Sequence, residues 1–262
     1  MKKFTLVLVG LVVLLPFTLT AQNVYDSFGA MSAWRAGSGD WAATNGDLIQ
    51  RDKNAGIART DRPYRQSGEV TVEFAVRYID GGFKSEADAM RGHYHGGFGI
   101  HVGVRNPALG KRAWGNGESV LMWLNLDTRP ETLRNYPEHY GFRAQIYRST
   151  SNVDMDLIRD PALRPIIGTD AMTLDIIAAL RDAGIMVTVD DLVYLLAAHM
   201  NEYWPIAIQF NTVTGDVWVE DPTLPGLWYW MQLDPSFLRG DYVALRTNSL
   251  SLGVDFFQAR SH

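Results

Sequence analysis

The chain has 262 residues, with 24 Lys and Arg against 29 Asp and Glu and no cysteine. A formal charge of −5 argues against a nucleic-acid partner, which asks for a basic stripe, and disfavours anionic lipid surfaces. Without cysteine there is no disulfide, so the fold must hold by packing alone.

Lys2 and Lys3 precede an apolar run, Phe4 to Leu19, that ends in Leu19-Thr20-Ala21. A basic start, a short apolar stretch and a small-residue exit read as a secretory signal peptide over 1–21, and the run is shorter than a membrane span needs. No cysteine follows it, which excludes a bacterial lipid anchor. Export with cleavage is therefore expected, to the periplasm or beyond. The remaining 22–262 would be a single domain with 22 basic and 29 acidic residues, a charge of −7, and no membrane span.

Strand signals dominate the first half. Val70 to Tyr78 alternates, with Val70, Val72, Phe74, Val76 and Tyr78 on one face and Thr71, Glu73, Ala75 and Arg77 on the other. Period two means one packed face. Asp80-Gly81-Gly82 closes that strand. Gly96–Val104 is a second strand whose Gly97, Gly99 and Gly103 admit a close neighbour. Ser119–Leu126 and Gly141–Tyr147 are a third and a fourth.

From about 151 to 203 the period becomes helical. Leu174, Ile177 and Ala178 share a face, Gly184 sits where a C-cap belongs, and Thr188 with Asp191 marks a new helix start. Leu192, Leu195, Leu196 and His199 follow at helical spacing. This predicts an αα-hairpin inserted between strands. Strand character then returns at Trp204–Phe210 and Val217–Glu220, joined by a turn at Gly215.

The two ends share a pattern. Trp34-Arg35-Ala36-Gly37-Ser38-Gly39-Asp40-Trp41 is followed by Asn45-Gly46-Asp47-Leu48-Ile49-Gln50 at the start; Arg239-Gly240-Asp241-Tyr242-Val243-Ala244-Leu245-Arg246-Thr247 is followed by Val254-Asp255-Phe256-Phe257-Gln258-Ala259 at the finish. This framing resembles the concanavalin A-like lectin/glucanase superfamily, which includes laminin-G-like domains. The resemblance implies a mainly β, two-sheet antiparallel jelly-roll sandwich with the helical segment as an insertion. The fold hosts lectins, enzymes and structural domains alike.

Glucanases of that superfamily place two glutamates around an aspartate on one strand, so that alternate residues aim into the cleft. No such triplet exists here. Glu69 and Glu73 are four apart with Thr71 between them, and are expected to decorate a solvated sheet face. His93, His95 and His101 offer imidazoles, but no cysteine or well-spaced acid completes a metal set. Polar loop histidines, with His95 at a ligand mouth, are the reading adopted. Asp80, Asp88 and Asp127 offer acids for calcium but no spaced ligand loop, so no cofactor is predicted, with calcium kept as the lesser alternative. Arg239-Gly240-Asp241 spells an adhesion tripeptide at the position of a turn, and is read as that turn.

Tryptophan is abundant, with eight residues. The loop Lys111–Glu118 combines Trp114, Asn116 and Glu118 between two strands, with Trp123 and Asn125 on one face just beyond it. An indole stacks on the apolar face of a sugar while amides and acids bond its hydroxyls, the usual composition of a small-ligand site. Trp114, Asn116, Glu118, Trp123, Asn125 and His95 are therefore the candidate glycan-binding residues, although Trp41, Trp123, Trp204 and Trp218 also suit the core of a sandwich without disulfides. Trp228 and Trp230 alternate with Tyr229, which makes them candidates for protein docking. The expected function is an exported, non-catalytic, lectin-like envelope protein whose partner is a glycan or an envelope protein. The alternatives are an assembly protein of a surface filament, docking through the insertion and Trp228–Trp230, and a glycan-processing enzyme of the same fold.

Overall fold

The computed structural model describes residues 22–158, 165–167, 171–192, 201–222 and 225–262. The signal segment 1–21 and the helical positions Leu195, Leu196 and His199 lie outside these residues. Five short strands open the chain: β1 (Asn23–Asp26), β2 (Arg35–Ser38), β3 (Trp41–Thr44), β4 (Asp47–Gln50) and β5 (Ala58–Pro63). The long strands β6 (Glu69–Gly81), β7 (His95–Arg105), β8 (Glu118–Asp127) and β9 (Gly141–Ser149) follow, with helices α1 (Glu86–Met90) and α2 (Pro130–Asn135) between them. Then come β10 (Met155–Ile158), β11 (Pro165–Ile167), α3 (Ala171–Asp182), β12 (Trp204–Asn211), β13 (Asp216–Glu220), β14 (Trp228–Gln232), β15 (Tyr242–Asn248) and β16 (Leu250–Ser261).

The strands form two antiparallel sheets. One runs β14-β13-β12-β6-β16-β4-β3, with β1 on β16; the other runs β10-β9-β8-β7-β15-β5-β2, with β11 on β9. The alternation in β6 does what period two requires. Val70, Val72, Phe74 and Val76 are buried between the sheets, while Glu73 faces outward and pairs with Arg260 at 2.5 Å. From the second sheet Phe98, Ile100, Val120, Met122, Ile146, Val243 and Leu245 complete the core.

The shared pattern at the two ends is a shared piece of structure. Leu48 and Gln50 of β4 pair with Val254 and Leu252 of β16, and Trp41 pairs with Gln50. Trp34 packs edge-on against Phe257 with ring centroids 5.1 Å apart. The Arg239–Asp241 tripeptide is a turn held in place, with Arg239 Nε donating to the Thr212 carbonyl at 2.7 Å and the Asp241 amide to the Val104 carbonyl at 3.0 Å.

The segment from 151 departs from the helical expectation. Met155–Ile158 pairs with Ser149–Ile146 as a hairpin, and Pro165 and Ile167 also join β9. Four apolar-rich residues are too few to tell a strand from a helix by period, and the free edge of β9 decides the matter. Helix begins later. α3 ends in a Schellman motif, the Gly184 amide (φ 81°) donating to the Arg181 carbonyl at 2.9 Å and the Ile185 amide to the Leu180 carbonyl at 2.9 Å. Helical residues resume at Val189 behind a reciprocal cap. The Thr188 amide donates to Asp191 Oδ2 at 2.8 Å, and the Asp191 amide to Thr188 Oγ1 at 3.2 Å.

Candidate functional site

Register puts the outward face of the second sheet in rows. Arg246, Gly99, Trp123 and Gln145 are successive partners across β15, β7, β8 and β9, and Asn248, Gly97, Asn125 and Arg143 form the next row. The glycines of β7 are explained by their neighbours. A Cβ on Gly97 would come within 2.4 Å of the Trp123 ring, and one on Gly99 within 2.0 Å of the Met122 carbonyl oxygen. Gly97 is a bed for an indole, not an opening for a ligand. Trp123 is accordingly buried, its Nε1 donating to Asn125 Oδ1 at 3.4 Å.

A second layer covers this face. The loop 106–117 is tied to the β9–β10 turn, where the Gly115 amide donates to the Asn152 carbonyl at 3.1 Å and the Gly117 amide to Asn152 Oδ1 at 2.8 Å. Beneath the loop lies a buried polar layer of Arg59, Asp61, His101, Asn116 and Arg246. Arg59 Nε is 3.2 Å from Asp61 Oδ2, and its other nitrogens donate to the carbonyls of Gly115 at 3.2 Å, Ala108 at 2.7 Å and Lys111 at 3.3 Å. Asn116 Nδ2 donates to Asp61 Oδ1 at 2.9 Å. Burial raises the Asp61 carboxyl above its ordinary range, against the opposing pull of Arg59 and Asn116.

Among the described residues Arg246 has no carboxylate partner. Its Nη1 donates to the Trp114 carbonyl at 2.5 Å and its Nε to Asn248 Oδ1 at 3.3 Å. The guanidinium carbon is 4.9 Å from the Trp114 ring centroid and 5.8 Å from that of Trp123, so both indoles share it as cation–π partners. Burial, with Arg59 nearby, lowers its pKa to about 10.

His101 belongs to the same layer, on the strand where the sequence places it. It is fully buried, with Nδ1 3.0 Å from Ser119 Oγ. That hydroxyl donates to the Asn116 carbonyl at 3.0 Å, so it accepts from Nδ1–H, and Nε2 has no partner. Burial, then Arg246 and Arg59, hold its pKa well below 6.5. Below about pH 6.5 the unfolded chain takes up a proton that folded His101 refuses, so its contribution to stability is lost as pH falls. The expected slope is about 1.4 kcal/mol per pH unit until the folded-state pKa is reached. Urea unfolding between pH 7.5 and pH 5 measures it, and His101→Asn should flatten the slope.

Trp114 is the outermost member of the stack, 45% exposed. It lines an open cleft of about 830 Å³ together with Ile57, Leu109, Lys111, Arg112 and Asn152, within the size range of small-ligand sites. Asn116, one row inward, is fully buried and its amide is spent on Asp61. It cannot meet a ligand. Glu118 pairs with Arg105 on the neighbouring strand. His95 lines a separate pocket of about 230 Å³ with His93, Asp88, Lys84, Arg129 and Glu131. The structure thus brings Trp114, Trp123 and Asn125 together and sets Asn116, Glu118 and His95 apart. Sequence reading missed Arg246, Arg59 and Asp61, whose only local sign is charge alternating with small or apolar residues in β5 and β15.

The acids considered for calcium have other partners. Asp80 pairs with Lys53 at 2.6 Å, Asp127 with Arg129 at 2.6 Å, and Asp88 accepts from Ser85 Oγ at 2.7 Å. Among the described residues no three of His, Cys, Asp and Glu converge. Trp228 and Trp230 lie on the outer face of the first sheet, where Trp230 sits opposite Trp218. Trp218 is therefore not core, and lies half-buried with Trp228 beside the exposed Trp230. Tyr229 faces the other way, its hydroxyl donating to Asp221 Oδ2 at 2.8 Å.

No protein-family model matches the sequence, and no curated protein matches it. Solved structures share its architecture. The metal-free carbohydrate recognition domain of Emp46p aligns at TM-score 0.51 and 10% identity, over 89% of this chain and 90% of that one. Peanut lectin with a bound 9mer peptide aligns at 0.50 and 10% identity, over 92% and 97%. The CBM2 module of the evolved Dit of Lactobacillus casei BL23 phage J-1 aligns at 0.50 and 7% identity, over 92% and 95%. At such identities the likeness is one of fold alone: the chain is a two-sheet antiparallel jelly-roll sandwich.

Proposed function

We propose that the protein is an exported, non-catalytic carbohydrate-binding protein that takes glycan in the Trp114 cleft. The observation that carries this reading is the half-exposed indole of Trp114 on the wall of an open cleft of about 830 Å³. The ring is braced from behind by Arg246, so stacking a sugar on it orders little that is not already ordered. Among the described residues the outward face of the second sheet carries amides, indoles and guanidiniums, and its two acids have partners: Asp61 is spent on Arg59 and Asn116 and Asp127 on Arg129. Retaining or inverting hydrolysis would need two facing carboxyl groups. Export follows from the reading of 1–21 as a signal peptide, and no helix among the described residues is long and apolar enough to cross a membrane.

Trp114→Ala is expected to weaken glycan binding 10- to 100-fold, about 1.4–2.8 kcal/mol, while costing only about 1 kcal/mol of stability for the lost Arg246 contact. Glu69→Ala and Glu73→Ala, on the opposite sheet, should leave affinity unchanged. A glycan array followed by titration calorimetry makes the measurement. Unaltered binding by the Trp114 variant would overturn the cleft. The stripe of Trp218, Trp228 and Trp230 supports the second reading, docking to an envelope protein, and sedimentation of the protein with and without Trp230→Ser tests it.

A further inference from the structure

The cleft has a sign. Lys111 and Arg112 line it, and no acidic residue does. Among the described residues neither cation lies within ion-pairing distance of a carboxylate, nor do Arg35 or Arg246, whereas Arg51, Lys53, Arg59, Arg62, Arg77 and Arg129 all pair. They are four of the cations without an ion pair among the described residues, and all four lie around one loop. Arg35 Nη2 is 3.3 Å from the Cβ position of Gly110, next to Lys111, and Arg112 Nη2 is 3.3 Å from that of Gly56, next to the cleft residue Ile57. Arg246, 2% exposed, lies under the Trp114 ring at 4.9 Å.

This arrangement runs against the sign of the whole chain, whose formal charge is −5. In an acidic protein a cleft lined by one sign focuses field toward a ligand of the opposite sign. The loop carbonyls of Ala108 and Lys111 accept from buried Arg59 and that of Trp114 from Arg246, so they are not spent on Lys111 or Arg112. A guanidinium fits a carboxylate or sulfate in two-pronged fashion, and an indole beside it takes the apolar face of a ring.

Resting on the proposed carbohydrate reading, we infer that the cleft selects an anionic saccharide: a pyranose stacked on Trp114 whose carboxylate or sulfate is held by Arg112 and Lys111. Arg35 and Arg246 add attraction at longer range. Arg246 acts through Trp114 and is a positioning residue.

The experiment is calorimetric titration of the purified protein with three hexasaccharides (galacturonate, chondroitin sulfate and the neutral cellohexaose) and with a single-stranded oligonucleotide, each at 50 mM and 500 mM NaCl. At least one of the two acidic sugars should bind ten-fold or more tightly than cellohexaose, and lose that margin at the higher salt. Lys111→Gln/Arg112→Gln should abolish the margin while the melting temperature stays as it was. Cellohexaose binding as tightly as both acidic sugars would overturn the inference while leaving the carbohydrate reading intact. So would a double variant that keeps the margin. An oligonucleotide matching the acidic sugars would replace sugar selection by general polyanion binding, and no saccharide binding at either salt would sink this inference and the carbohydrate reading together.

Discussion

Trp34→Ala should lower stability by about 3–5 kcal/mol, the usual cost of truncating a core tryptophan, which is roughly 6–20 °C in melting temperature for a chain of this size. The residue closes one end of the sandwich. Its ring packs edge-on against Phe257 at 5.1 Å and tilts against Phe28 at 6.0 Å, with the Arg62 guanidinium 5.5 Å away. Its Nε1 donates to Asp26 Oδ2 at 3.0 Å, and Arg62 pairs with the same carboxylate. Trp34→Phe separates the contributions: it keeps an aromatic ring and loses the N–H, so only about 1 kcal/mol of the hydrogen-bond share should go, plus a part of the packing. Thermal and urea unfolding read both variants. A Trp34→Ala protein melting within two degrees of the parent would show that the two chain ends are not held together through this ring.

That contact also shows what could be read without coordinates. Patterns set by one element's own surroundings were legible: the alternation of Val70 to Tyr78, the turn at Gly215, the C-cap at Gly184 and the Thr188–Asp191 cap all depend on neighbours within a few residues. The Trp34 and Val254–Phe257 segments were legible as a family-like frame. Strands of four residues such as β1, β2 and β10 were not, because what makes them strands is a partner elsewhere in the chain. The site divides in the same way. Trp114 stood out because a tryptophan among Lys, Arg, Gly and Asn is a local signal. Asn116, two residues on, looked equivalent and is not, since its partner Asp61 is 55 positions away. Arg246 was invisible as a functional residue. Its parity puts it on the outward face with Ala244 and Asn248, but only the covering loop turns an outward arginine into a buried one.

The buried layer under that loop carries the other large effect. Asp61→Ala should cost about 3–5 kcal/mol, because removing one partner of a buried ion pair leaves the other charge uncompensated. Arg59 is 1% exposed and Asp61 0%, and Arg246 already adds a second unpaired cation nearby. Asp61 itself is held reluctantly: its folded-state pKa is raised by burial, so ionising it disfavours the folded state, a cost that grows as pH rises from about 3.8 through the folded value. Replacing both partners with apolar residues of similar size, as in Arg59→Met/Asp61→Leu, removes the charge penalty and should recover most of the stability. It should not recover the site. Arg59 is also the donor that anchors the carbonyls of Ala108, Lys111 and Gly115, and so holds down the loop that presents Trp114. The double variant is therefore expected to unfold near the parent's urea midpoint while binding glycan at least ten-fold more weakly. Stability and affinity restored together would mean that the loop is held by its bonds to the β9–β10 turn alone. Neither restored would mean that the ion pair, and not the loop's carbonyls, is what this layer is for.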